Sequence, residues 1–419
     1  MNPPEPRKTN TSAFGIRMLS SLTNPLYRLY FFGTLAHFAA MSMSIVSSPM
    51  LIFRLTNSTA LLGTMSLVSA GPMLIISLFG GAFADRLQKK KLLIAGLLGS
   101  AVVSSIIAIV LTTGTLNSEN HDSWLILFAT SVAQGVIMGM MMPALQAIIP
   151  EIVNRDQLMN AIALNTTGMN VLNLVAPPIA GWMIDHSGFQ SVYFTMAGLY
   201  VCAAFIISFI PARTKIIATG NNILLDIQKG FRYIRKDPMI FQILAFTLII
   251  VVFCMPYQQF VPVYVDKILH AGATGSGIIN GVCGGGALVG SLILAAWPGK
   301  KRGLMLLGSG VLAGISLIIF SFSAYLGLSL IFIFFVGLSQ AFRNTIGSAL
   351  LQTYTQADYM GRVMSITNVQ WGLMSLCTFF VGMLAEVFTV QWVLGSMAMI
   401  LVILSLCFIV FFPRVRKVD

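Results

Sequence analysis

Gly81-Ala-Phe-Ala-Asp85-Arg86-Leu-Gln-Lys89-Lys90-Lys91 joins two long apolar runs, residues 60–84 and 92–113. Three consecutive lysines between two such runs mark the end of one membrane crossing and the start of the next. Working outward, the chain resolves into twelve apolar stretches: 26–52, 60–84, 92–113, 124–148, 158–184, 189–210, 239–264, 273–297, 303–322, 325–347, 360–386 and 390–412. The connections that contain Lys89–Lys91, Arg155, the cluster from Arg213 to Lys236, Lys300–Arg302 and Arg343 with Arg362 alternate with connections almost free of positive charge. Together with the two chain ends they hold 23 of the 25 Lys and Arg residues. Only Arg54 and Lys267 fall on the opposite side. Lys and Arg are retained on the cytoplasmic side of a membrane, so the pattern predicts an even number of crossings with both termini inside.

Composition agrees. Hydrophobic residues make up 57% of the 419 and charged residues 9%, against about a quarter charged in soluble domains. Twelve helices of about 20 residues leave room for short loops and one longer central connection. The net charge of +12 sits in clusters beside membrane ends, where it faces anionic lipid, so nucleic acid is not expected as a partner. Cys202, Cys254, Cys283, Cys377 and Cys407 all lie within the apolar stretches; neither a disulfide framework nor a metal site is expected from them. The polar first 25 residues show no cleavable signal.

The longest polar stretch divides the twelve spans six and six. The expected organisation is a cytoplasmic segment 1–25, a bundle 26–210, a linker 211–238, a second bundle 239–412 and a tail 413–419. Within the linker, apolar residues at 223, 224, 227, 231 and 234 have the spacing of an amphipathic helix lying along the membrane surface. The halves resemble each other. A shift of 201 residues aligns Gly181-Trp-Met-Ile-Asp185 with Gly382-Met-Leu-Ala-Glu386, each closing a fifth span, and Lys89–Lys91 matches Lys300-Lys-Arg302. Parallel repeats of this kind place a substrate site near the membrane midplane between the halves.

The Gly81, Asp85, Arg86, Lys89, Lys90 pattern resembles the loop G-x-x-x-D-R-x-G-R-K-x of the major facilitator superfamily, with Gln88 where a glycine is usual. Leu51-Ile-Phe-Arg-Leu-Thr-Asn-Ser58, Pro143-Ala-Leu-Gln-Ala-Ile-Ile-Pro150 and Asp226-Ile-Gln-Lys-Gly-Phe-Arg-Tyr-Ile-Arg235 resemble its enterobactin-exporter and macrolide-efflux branch. The resemblance implies an all-α membrane protein of twelve transmembrane helices in two pseudo-symmetric six-helix bundles. It also implies a cytoplasmic latch for the outward-facing state at Gly81, Asp85, Arg86, Lys89 and Lys90. Leu172-Asn-Leu-Val-Ala176-Pro177-Pro178-Ile-Ala-Gly181 is similar to the superfamily's antiporter motif, with alanines in place of two glycines. The intramembrane Arg of the family's span-four motif is replaced, the sequence reading Ser131-Val-Ala-Gln134-Gly135.

None of the thirteen acids falls near the middle of a span, so the buried carboxylate that proton antiporters commonly use is lacking. His37 and Asp85 are left as candidates for proton coupling. An unperturbed imidazole titrates near pH 6.5, and the alternative for His37 is a side chain satisfied by a neighbouring helix. In this fold the first, fourth, seventh and tenth spans line the cavity. The candidates there are His37, Gln134, Tyr257, Gln258, Gln340, Arg343 and Asn344, joined by Asn165 and Trp371 from the fifth and eleventh. Arg343 lies toward the cytoplasmic end of its span, where snorkelling to the interface is the alternative.

The expected activity is export of a small amphipathic organic molecule, siderophore-, macrolide- or drug-like, across a bacterial cytoplasmic membrane by alternating access, with protons as coupling ion. A proton-independent facilitator or lipid-handling transporter is the other reading. No phosphate-binding loop of G-x4-G-K-[ST] type is present, and no nucleophile, metal cluster or cofactor site suggests an enzyme. Membrane lipid is an expected partner and a monomer the expected state.

Overall fold

A computed structural model describes residues 20–86, 88–116, 123–211, 231–297, 301–356 and 359–416. Among them are α1 (Pro25–Thr56), α2 (Thr59–Arg86), α3 (Lys89–Thr112), α4 (Ser123–Ile152) and a helical run Arg155–Ser208. Then come α7 (Pro238–Leu269), α8 (Gly272–Ala296), α9 (Arg302–Phe322), α10 (Leu326–Tyr354), α11 (Met360–Val387) and α12 (Val390–Phe411). The run Arg155–Ser208 is two helices. Its 54 residues would extend about 80 Å, far beyond a hydrocarbon core of about 30 Å. Gly188 breaks it with φ 78°, a left-handed conformation that glycine adopts without a steric penalty. We label the parts α5 (155–187) and α6 (189–208). The twelve helices form the two bundles, α1–α6 and α7–α12.

The halves begin alike. Asn24 and Asp237 each cap the helix that follows, with Pro at its first position. Asn24 Oδ1 accepts from the Leu26 amide at 3.0 Å, and Asp237 Oδ1 from the Met239 amide at 2.9 Å. Caps and Pro at the first turn satisfy amides that have no partner inside the helix. Asn24 Nδ2 also donates to the Ile152 carbonyl at 2.8 Å, tying the start of α1 to the end of α4. Deeper in each half, buried tyrosines join helices through their hydroxyls. Tyr27 donates to the Ala161 carbonyl at 2.8 Å and Tyr30 to that of Leu145 at 2.9 Å. In the second half Tyr264 donates to the Phe320 carbonyl at 2.6 Å.

Apolar side chains such as Phe205, Trp392 and Val410 are exposed on the outside of the bundles, the surface that lipid tails cover. Where lipid is as apolar as the protein, helices are drawn together by close contact and small residues. The helices start close to the spans expected from the sequence, while α1, α4, α7 and α10 run past the expected ends, α10 furthest, to Tyr354. The expected linker helix falls mostly outside the described residues; 231–236 is helical.

Candidate functional site: a sealed face and a recess

The helices define two faces. One carries the first and last described residues together with Lys89, Lys90 and Arg302; here it is called the terminal face. The far face carries the α1–α2 turn, the α5–α6 corner and the α7–α8 turn.

On the far face the halves are sealed along two seams, α5 against α8 and α2 against α11. Each seam ends in a carboxylate of one half capping a helix of the other. Asp185 of α5 accepts from the amides of Ala273 (3.1 Å) and Thr274 (2.7 Å) and from the Thr274 hydroxyl (2.7 Å) at the start of α8. Glu386 of α11 accepts from the amides of Thr59 (2.9 Å) and Ala60 (3.0 Å) and from the Thr59 hydroxyl (2.8 Å) at the start of α2. A carboxylate at a helix N-terminus is favoured by both the free amides and the helix dipole. The two caps occupy the repeat positions that the 201-residue shift aligns. Arg54 adds a third tie, gripping Asp266 of the second half through Nε (3.1 Å) and Nη2 (3.3 Å) and lying 3.9 Å from Asp185. Lys267 lies over the Phe53 ring, 5.3 Å from its centroid. The two positive residues that break the charge alternation therefore both bridge the halves.

Glycines let the seams close. A Cβ on Gly281 would lie 2.6 Å from the Leu174 carbonyl oxygen, and one on Gly382 2.6 Å from that of Thr59. Midway along the second seam, the buried hydroxyls of Ser66 and Ser375 are 3.0 Å apart. The seams run from the far face to about mid-membrane, where Asn173 meets Gly284 and Leu74 meets Gly372. Ala176, Pro177, Pro178 and Gly181 belong to the first seam: the Pro177 carbonyl and the Pro178 ring face Gly277 and Gly281 of α8.

Between mid-membrane and the terminal face, α7, α10 and α11 line an open recess of about 190 Å³ in the second half. Its wall includes Thr247, Met255, Arg343, Asn344, Gln370 and Trp371. At this depth α7 is broken at Met255–Pro256, since Pro lacks the amide that would continue the ladder. Irregular backbone within a membrane is tolerated where it lines a cavity or is buried in protein.

The structure thus brings Arg343, Asn344 and Trp371 together and leaves other sequence candidates elsewhere. Tyr257 is buried behind the recess, its hydroxyl 3.1 Å from Cys283 Sγ and accepting from Gln340 Nε2 at 3.2 Å. Gln258 follows it on α7, half-buried, and is not on the recess wall. In the first half Gln134 donates to the Ser100 hydroxyl at 3.2 Å, and Asn165 accepts from that of Thr34 at 3.1 Å. These amides serve helix pairs. His37 is fully buried between the rings of Phe38 and Tyr200, on the side of α6, and both ring nitrogens lack a partner among the described residues. Arg343 does not reach for the interface. It lies eleven residues before the end of α10, about 16 Å along the axis, and is 7% exposed.

At the terminal face Lys89 pairs with Glu151 and Lys90 donates to the Ser208 carbonyl at 2.6 Å, both partners belonging to the same half. The side chains of Gly81, Asp85 and Arg86 lie outside the described residues. Sequence reasoning did not name Asp185, Glu386, Arg54 and Asp266 as site residues. The signal was present in the aligned acids of the repeat and in the misplaced Arg54.

The profile of the Major Facilitator Superfamily matches residues 30–378. The chain belongs to that superfamily. Among relatives of this major facilitator, macrolide efflux protein A of Streptococcus pyogenes is 25% identical, the match covering 91% of this chain and 96% of that protein. The staphyloferrin A transporter of Staphylococcus aureus is 22% identical over 83% of this chain and 86% of its own. The enterobactin exporter EntS of Shigella boydii is 24% identical over 83% and 82%. Solved structures share the fold at low identity. A bacterial homologue of the human lysosomal transporter Spinster, inward-facing and unoccupied, superposes with TM-score 0.68, 13% identity and coverage of 97% of this chain and 98% of that one. A POT family transporter in complex with 5-aminolevulinic acid gives 0.76, 10%, 93% and 96%. This major facilitator is a membrane transporter with efflux proteins among its relatives.

Proposed function

We propose that this major facilitator exports a small amphipathic organic molecule across a bacterial cytoplasmic membrane by alternating access. The Lys and Arg distribution supports a cytoplasmic terminal face, and the closed far face supports an inward-facing state. The observation that carries this reading is the asymmetry between faces: cross-half caps and glycine seams close the far face, while the recess lies on the terminal side of mid-membrane. Reversal would release Asp185 and Glu386 from α8 and α2 and bring the Asp85–Arg86 motif of the terminal face into play. The relatives' named cargoes, a macrolide and two siderophores, support an organic cargo of that size.

The proton gradient is the proposed drive, since the sequence holds no loop for direct use of ATP. Asp85 and His37 are the groups the sequence offers for coupling. A second reading, a proton-independent facilitator, draws support from the recess wall, which includes no carboxylate among its described residues. Vesicles containing the purified protein and a pH dye separate the two. Compound-dependent proton flux in the direction opposite to the compound supports antiport. Compound movement without proton flux supports the facilitator, and no movement of any amphipathic compound overturns the export reading.

A further inference from the structure

The recess contains a charge that no described acid neutralises. Arg343 is 7% exposed, and its Nε has no partner among the described residues. The three ion pairs among those residues lie elsewhere, at Arg54 and at Lys89. No acid of the described residues lies on the recess wall, and none forms an ion pair with Arg343, which sits about 16 Å along α10 from its terminal end. A guanidinium stays protonated in proteins, and holding one inside a membrane without an anion is strongly unfavourable.

We propose that the recess binds an organic anion, its carboxylate received by Arg343 and its apolar body lying against Trp371, Met374 and Val251. The proposal rests on the reading of the chain as an exporter and narrows its cargo. The wall suits such a molecule. Thr247, Asn344 and Gln370 offer hydrogen bonds beside the guanidinium, and the remaining wall is aromatic, aliphatic and thioether. Arginine's planar fork matches a carboxylate through two parallel bonds, which a lysine ammonium cannot reproduce. A cationic amphipath of the same size meets a like charge there and is disfavoured.

The test uses the full-length protein in detergent and three probes with one apolar body: 1-naphthaleneacetate, 2-(1-naphthyl)ethanol and 2-(1-naphthyl)ethylammonium, titrated by calorimetry. The expected order is acetate, alcohol, ammonium, with acetate over ammonium by about tenfold or more, as charge-assisted bonds to one guanidinium allow. Arg343→Gln should abolish the preference, and Arg343→Lys should keep the order while weakening acetate several-fold and leaving the alcohol unchanged. Thermal melting checks that each variant is folded; if the Gln variant is not, the Lys variant alone decides. Equal binding of acetate and ammonium, acetate affinity unaffected by the folded variant, or no acetate binding overturns the proposal. Phosphatidylglycerol added to the micelles competes with acetate when a lipid headgroup reaches the same guanidinium, and has no effect when the site admits soluble anions alone. Export is read separately in vesicles, so transport that persists without charge preference removes this proposal and leaves the functional reading standing.

Discussion

Removing Glu386 should open the far face by an amount that can be worked from its bonds. The carboxylate accepts from two amides and two hydroxyls at the start of α2, and Glu386→Ala deletes all of them. Losing a helix cap costs about 1 kcal/mol. The site is exposed, so solvent screens the charge and adds little beyond that. About 1 kcal/mol shifts an equilibrium about fivefold. Asp185→Ala removes the equivalent cap from α8 and should do the same. The caps lie on different seams, so their effects should add, giving about 2 kcal/mol and about thirtyfold for the pair. Thr378 reports the opening: it is fully buried in the α2–α11 seam, its carbonyl against Gly63. Thr378→Cys, in a chain whose native cysteines are replaced, should react with a membrane-impermeant maleimide at a rate proportional to the open population. The expected rates stand near one, five and thirty for no, one and both cap variants. Unchanged rates would refute the assignment of the caps as a latch. A double variant no faster than the singles would show that the seams open independently, against a single rocking motion.

Arg54→Gln and Asp266→Asn should each open the far face less than a cap variant. The pair is part-exposed, and exposed ion pairs contribute about 0.2–1 kcal/mol, so the coupling in a double-mutant cycle should shrink further at high salt. Gly281→Val should act in the same direction and more strongly, because its side chain would meet the Leu174 carbonyl. The far face should then fail to close, with transport lost, maleimide labelling at position 378 high and the protein still folded; normal transport would show that the seam tolerates the wedge. His37→Phe should raise the melting temperature, since two buried ring nitrogens without partners among the described residues cost about 1–3 kcal/mol and the replacement keeps the aromatic packing. If His37 is kept at that cost for coupling, the same variant loses proton flux in vesicles, and retained coupling would remove His37 from the mechanism.

Much of the fold was legible because bilayer thickness and charge retention are coarse, strong constraints. Twelve apolar stretches separated by alternating basic connections admit little else, and the helices start within a few residues of the expected positions. The end of α10 was missed because Ser348 to Tyr354 is mixed in character yet continues the helix, and that extension is what carries Arg343 inward. The site was less legible. Spans that are apolar all round carry almost no periodicity to show which face an amide occupies, so Gln134, Asn165 and Gln340 read the same as Asn344 although they bond neighbouring helices. Asp185 and Glu386 stood out as a repeated pair. Their role depends on which helix begins beside them across the molecule, and that neighbour is set by tertiary packing.

The strength of the far-face latch also has a functional logic. A carrier must visit both states, and a ligand can shift them only by the difference in its affinity for each. Moving a population from 1:99 to 99:1 needs about 5.5 kcal/mol, more than a small cargo readily supplies. Deeply buried ion pairs between the halves would add terms of several kcal/mol and lock one state. Here the ties are exposed carboxylates on helix ends and one part-exposed Arg54–Asp266 pair, each contributing about 1 kcal/mol or less. The glycine seams gain contact only where backbone meets backbone, and that gain is lost evenly as the halves part. Placing Arg343, the deeply buried cation among the described residues, within one half rather than across the seam follows the same logic. Held on one half, its charge does not itself weigh on the rocking equilibrium, and an anion bound there would enter that equilibrium only through the contacts it gains or loses as the halves move.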